Sequence, residues 1–126
     1  MTATLVGGGT RWQAHLLHRV EGEPPREKVS RGTITLSPEN VAAIKEGMLA
    51  VTQSGSLAGA FRGLPVPVGA KTGSAQVAGA ETSNAALVCF APYEQPRIAL
   101  ALVVEQGGSG AALGEVAASV LQQYFS

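Results

Sequence analysis

The chain is 126 residues long and 45% hydrophobic, which is the size and apolar content of one domain around one enclosed core. Nine Lys and Arg balance nine acids, all of them glutamate, so there is no basic field to follow a nucleic-acid backbone. A lone cysteine, Cys89, excludes an intrachain disulfide and a multi-cysteine metal site, and is expected to be a small core residue.

Apolar runs such as Ile98 to Val104 fall far short of a bilayer span, and Met1 is not followed by a basic stretch and a hydrophobic signal core. The segment is expected to be soluble and to make no membrane contact.

The opening "MTATLVGGGT" resembles the tail of an element followed by a turn; Gly7-Gly8-Gly9-Thr10 could cradle an anion, but a chain turn explains it as well. Trp12–Val20 and the stretch "VSRGTITL" have strand composition, and the polar, proline-containing loop between them predicts a strand pair.

Ser37-Pro38-Glu39-Asn40 is a helix start, with a capping hydroxyl, a proline at the first helical position and an acid at the positive end of the dipole. Val41, Ile44, Met48 and Val51 recur at helical spacing, Lys45 and Glu46 are expected to face outward, and Gly55 is the expected stop. A flexible "SGSLAGAFRGLP" stretch follows.

Three strands come next, about Val66–Val77, Ala85–Phe90 and Arg97–Glu105, joined by turn-rich links short enough to predict antiparallel neighbours. In the last segment, Ala111–Phe125, the residues Leu113, Val116, Ala117, Val120, Leu121 and Tyr124 make one apolar helical stripe. The order β-β-α-β-β-β-α predicts an α+β fold: an antiparallel or mixed sheet of about five strands with the C-terminal helix and one further helix packed on it.

Two nucleotide-binding patterns fail on spacing. In "GLPVPVGAKTG" Ala70 stands where a phosphate loop needs glycine before its lysine, and strand rather than helix follows. In "VVEQGGSGAALGEVA" Gly108 and Gly110 fit a dinucleotide turn, but Leu113 takes the third glycine position. His15 and His18 are three apart, which in a strand puts them on opposite faces, and no acid or cysteine joins them as metal ligands.

Lys71-Thr72-Gly73-Ser74 remains. Strand alternation puts the Thr72 and Ser74 hydroxyls on one face with Gln76 next along it, Gly73 allows close approach to the backbone, and Lys71 adds a cation. Such an edge suits a carboxylate-bearing peptide laid along the strand. A lysine on an edge strand is also a guard against aggregation, and these residues alone do not separate the two roles.

"KTGSAQV", followed by "SNAALVCFAPYEQPRIALALVVEQGG" and a terminal helix, resembles the end of the penicillin-binding protein transpeptidase domain, of the class B type. "GGGTRWQAHLLHRV" and "LSPENVAAIKEGMLAVT" extend the resemblance over nearly the whole chain. Gly7, where that family often has asparagine, and Ala86, where it often has a large aromatic, depart from it.

The resemblance implies a part in peptidoglycan cross-linking by a serine D,D-transpeptidase, outside the cytoplasmic membrane, with the stem peptide or a β-lactam as ligand and no metal or cofactor. It assigns catalytic roles to Lys71, Thr72 and Gly73 and substrate binding to Thr72, Ser74 and Gln76, with the Ser74 N–H as half of an oxyanion hole. None of the nine serines has lysine three positions later or asparagine two positions later, so the nucleophile motif and the second motif are missing from residues 1–126. The expectation is one globular unit, the C-terminal part of a transpeptidase domain without its upstream helical half, inactive alone. A non-enzymatic receptor for D-Ala-D-Ala peptides and half of a partner-completed enzyme are the alternatives.

Overall fold

In the computed structural model, which describes residues 1–126, the elements run helix α1 (Thr2–Val6), strand β1 (Thr10–Trp12), β2 (Ser30–Thr33), helix α2 (Pro38–Gln53), the helical turn α3 (Ala58–Phe61), β3 (Gly69–Ala75), β4 (Asn84–Ala91), β5 (Ile98–Val104), a 3-10 turn (Gly110–Leu113) and helix α4 (Gly114–Tyr124). The α+β class and antiparallel pairing are as expected. The five strands divide into two sheets, β1-β2 and β3-β4-β5, rather than forming one.

β4 is the centre of the larger sheet, with Ala85, Leu87, Cys89 and Ala91 fully buried. Its register pairs Ala70, Thr72 and Ser74 of β3 with Cys89, Leu87 and Ala85, and pairs Leu100 and Leu102 of β5 with Cys89 and Leu87. Directly opposed residues share a face. That face is covered by Leu113, Ala117 and Leu121 from the C-terminal helix and by Leu57 and Phe61 of the α3 turn.

The expected strand Trp12–Val20 is replaced by a shorter strand ending at Trp12, followed by an irregular arm. Residues 13–20 are all exposed, so no buried face fixes a register, and Pro24 and Pro25 cannot donate to a ladder. Only sparse bonds such as Gln13 N–H to Val29 O and Arg26 N–H to His18 O join the arm's two sides.

α2 begins as predicted: Ser37 Oγ accepts the Asn40 N–H at 3.5 Å and Pro38 is the first helical residue. Its inward face differs from the prediction. Lys45 turns in, not out, with its ammonium 4.9 Å from the Tyr93 ring centroid and 5.7 Å from that of Phe90, while Ile44 is exposed. A cation over two ring faces, with its apolar stem packed, satisfies lysine without a carboxylate. The buried Thr52 hydroxyl donates to the Val68 carbonyl at 2.5 Å, tying the helix to the approach to β3.

The stretch expected to be flexible contains α3 because Leu57 and Phe61, four residues apart, both reach the core. α4 is rotated from its predicted stripe: Gly114 and Ala118 are buried, whereas Val116, Val120 and Tyr124 are exposed. The small residues set this rotation by letting the two helical segments approach; a Cβ on Gly114 would lie 2.9 Å from Ala60 Cβ and Leu57 Cδ2.

Leu57→Ala is expected to cost about 3 kcal/mol through the cavity it leaves, and Thr52→Val about 1–2 kcal/mol through the orphaned Val68 carbonyl; urea midpoints at unchanged slope check both. Burial pushes the Cys89 thiol from an ordinary 9.0 up to about 11. The fold favours the neutral thiol, so this contribution is complete below pH 9 and lost as pH rises through about 11. Stability measured from pH 8 to 11 should fall more in the wild type than in Cys89→Ala; parallel curves would contradict it.

Candidate functional site

Lys71, Thr72, Gly73 and Ser74 occupy the middle of β3, an edge strand with β4 on one side and no strand on the other. This position explains how a strand tolerates them: Lys71, Gly73 and Ser74 are exposed and Thr72 is half-buried. An edge leaves alternate backbone N–H and C=O groups unpaired, available to a peptide or to solvent.

The Lys71 ammonium donates to the Thr72 carbonyl at 2.6 Å. Thr72 and Ser74 share the face that Leu87 and Ala85 occupy on β4, at its open margin. Gly73 is not required by packing: a Cβ built there would have Ala86 Cβ as its nearest neighbour, at an ordinary 3.7 Å. Gly69, on the same strand, contrasts with it, because a Cβ there would lie 2.5 Å from the Phe90 ring.

The structure brings Lys71, Thr72, Gly73 and Ser74 together on one strand, with Gln76 two residues beyond Ser74. β3 ends at Ala75, and Gln76 is exposed at the start of the loop to β4. The other singled-out residues have structural explanations. His15 and His18 lie in the exposed arm rather than in a strand, with His15 Nδ1 2.8 Å from the Leu17 carbonyl oxygen. Gly8 and Gly9 have φ of 72° and 88°, and a Cβ on Gly9 would collide with the Ile34 carbonyl oxygen at 2.1 Å, so the glycine run makes a turn against the segment after β2.

Cys89 is fully buried with a raised pKa, and the serine hydroxyls that form hydrogen bonds all do so with backbone groups. Sequence reasoning left one neighbour of the edge unassigned: Gly110, whose backbone lies against Gly73 and Ala86. Its only signal is a glycine in "GGSG", which spacing alone does not connect to β3.

Residues 1–126 match the penicillin binding protein transpeptidase domain. Peptidoglycan D,D-transpeptidase MrdA of Escherichia coli (strain K12) is 32% identical over 115 residues, covering 79% of this chain and 17% of that protein. Among solved structures, Pseudomonas aeruginosa PBP2 in complex with WCK 5153 aligns at TM-score 0.74 and 33% identity over 96% of this chain and 27% of that one. Penicillin-binding protein A from M. tuberculosis, solved as an imipenem acyl-enzyme complex, aligns at TM-score 0.78 and 25% identity over 98% of this chain and 29% of that one. The chain therefore spans less than a third of the length of each of these proteins. With the whole chain matched and the Lys-Thr-Gly strand at the sheet edge, the chain belongs to the penicillin-binding protein transpeptidase family.

Proposed function

We propose that residues 1–126 form the Lys-Thr-Gly wall of the active site of a peptidoglycan D,D-transpeptidase. The observation that carries this reading is the edge itself: a cation and two hydroxyls surround a glycine whose missing side chain the packing does not require. A guard lysine needs neither the hydroxyls nor the glycine.

In the reaction of the full-length protein, a serine outside these residues attacks the carbonyl between the two D-Ala units of a stem peptide. The terminal D-Ala leaves, and a neighbouring stem amine then takes the acyl group from the serine. Lys71 supplies positive charge for the substrate carboxylate, and the Thr72 and Ser74 hydroxyls donate to it. The Ser74 N–H is the oxyanion donor contributed by this wall. Backbone groups of alternate edge residues point the same way, so the Thr72 carbonyl, held by Lys71 on the exposed side, supports an outward Ser74 N–H.

The stem peptide, β-lactams and the rest of the transpeptidase domain are the partners in this reading, and the extracytoplasmic face of the membrane is its place. No helix among these residues is long and apolar enough to cross a membrane. Gln76, exposed directly after β3, extends the contact along the bound peptide.

Labelling with a fluorescent penicillin tests the assignment. The 126-residue chain should form no covalent adduct and the full-length protein a stoichiometric one, while Lys71→Ala in the full-length protein should acylate about 100-fold or more slowly. Labelling of the chain alone, or wild-type rates in Lys71→Ala, would contradict the reading. Gly73→Ala in the full-length protein should change stability by less than about 1 kcal/mol yet slow acylation at least about tenfold, which thermal unfolding and labelling kinetics check together.

A further inference from the structure

The 3-10 turn after β5 lies directly against the Lys-Thr-Gly edge. A Cβ built on Gly110 would sit 2.2 Å from the Ala86 carbonyl oxygen, 2.5 Å from the Gly73 carbonyl oxygen and 2.9 Å from the Gly73 nitrogen. All three are backbone atoms, which cannot swing aside as a flexible side chain can. Gly110 therefore rests on the peptide backbone of the Gly73–Ala86 pair.

The face on which it rests is also fixed. A Cβ built on Gly73 meets only Ala86, so the turn lies on the other side of the strand, the side to which Thr72 and Ser74 point. Gly110 thus lies over Gly73, the residue between Thr72 and Ser74.

The turn is held at several points. Ser109 Oγ accepts the Ala111 N–H at 3.3 Å, Asn84 Oδ1 accepts the Gln106 N–H at 2.9 Å, and the Gly108 N–H donates to the Ser83 carbonyl at 2.8 Å. Leu113, at its end, is buried in the core. A segment anchored to the start of β4 and to the core thus backs the strand at Gly73, which has no side chain of its own.

We infer that Gly110 is a positioning residue for acyl transfer: by resting on Gly73 it sets the height of the Gly73–Ser74 peptide, and with it the Ser74 N–H and the spacing of the Thr72 and Ser74 hydroxyls. This rests on the transpeptidase reading of the edge. Preorganised donors stabilise developing charge only at hydrogen-bond distance, and a misplacement of about 1 Å costs on the order of 100-fold in rate. An added methyl at Gly110 has to push the turn and the strand apart. Gly114, one turn further on, is the natural contrast, because a Cβ there meets the side chains of Ala60 and Leu57 instead of the edge.

The test uses the full-length protein and stopped-flow labelling with a fluorescent penicillin, which separates non-covalent affinity from the acylation rate. A wild type that is not labelled overturns the transpeptidase reading and this inference with it. In a labelled protein, Gly110→Ala is expected to slow acylation about thirtyfold with affinity within about twofold. Gly114→Ala is expected to lower the melting temperature but keep acylation within about twofold of wild type. A wild-type rate in Gly110→Ala, or rate losses in both variants that simply track their melting temperatures, overturns the inference and leaves the reading standing. Where Gly110→Ala does not fold, Ser109→Ala decides, since it adds no atom and loosens the turn: acylation slowed about threefold supports the inference, and an unchanged rate overturns it.

Discussion

The burial of β4 is the constraint on which the rest of the structure depends. Ala85, Leu87, Cys89 and Ala91 have no exposed surface, so a shift of one residue along β4 would turn four apolar side chains away from the core. That penalty fixes the register of both neighbours. Once Leu87 faces Leu113, Ala117 and Leu121, its partner Thr72 is assigned to the same face, and Lys71 and Gly73 to the other.

Because β3 is at the edge, the register also determines what is offered outward. The strand starts buried, at Gly69 and Ala70, and from Lys71 onward is exposed except at half-buried Thr72. Its inner end is held by the Phe90 ring and the Thr52 hydroxyl, and its middle is backed by the glycine turn. A rigid scaffold thereby presents a short polar edge, which is the arrangement that recognition of a peptide carboxylate needs. None of the nine serines has a lysine three positions later, so in the proposed reading these residues offer recognition and electrostatic support rather than attack.

Much of this was legible in the sequence where a local signal and the tertiary environment agree. Ser37-Pro38 caps and starts α2, and the three strands of the larger sheet lie within two or three residues of their expected bounds. The errors occurred where tertiary contacts overrode local pattern. Lys45 has the pattern of a solvent-facing residue until two aromatic rings from another element are placed under it. Val116 and Val120 belong to an apolar stripe, but the small surfaces of Gly114 and Ala118 turn the helix the other way. Residues 13–20 have strand composition without a surface to pack on, and composition alone does not hold a strand.

The site follows the same division. Lys71-Thr72-Gly73-Ser74 was visible because a cation and hydroxyls are unusual inside a strand, whereas Gln76 rested on strand alternation alone. Gly110 was not visible in this role, since its contact with Gly73 joins segments 37 positions apart and exists only in the folded chain. The most direct measurement of the central claim is a structure of the full-length protein acylated by a β-lactam. The account predicts the acyl carbonyl oxygen about 2.7–3.1 Å from the Ser74 nitrogen, with the ligand carboxylate on the Thr72 and Ser74 hydroxyls. An acyl group whose carbonyl oxygen is held by other donors, with β3 bare, would contradict it.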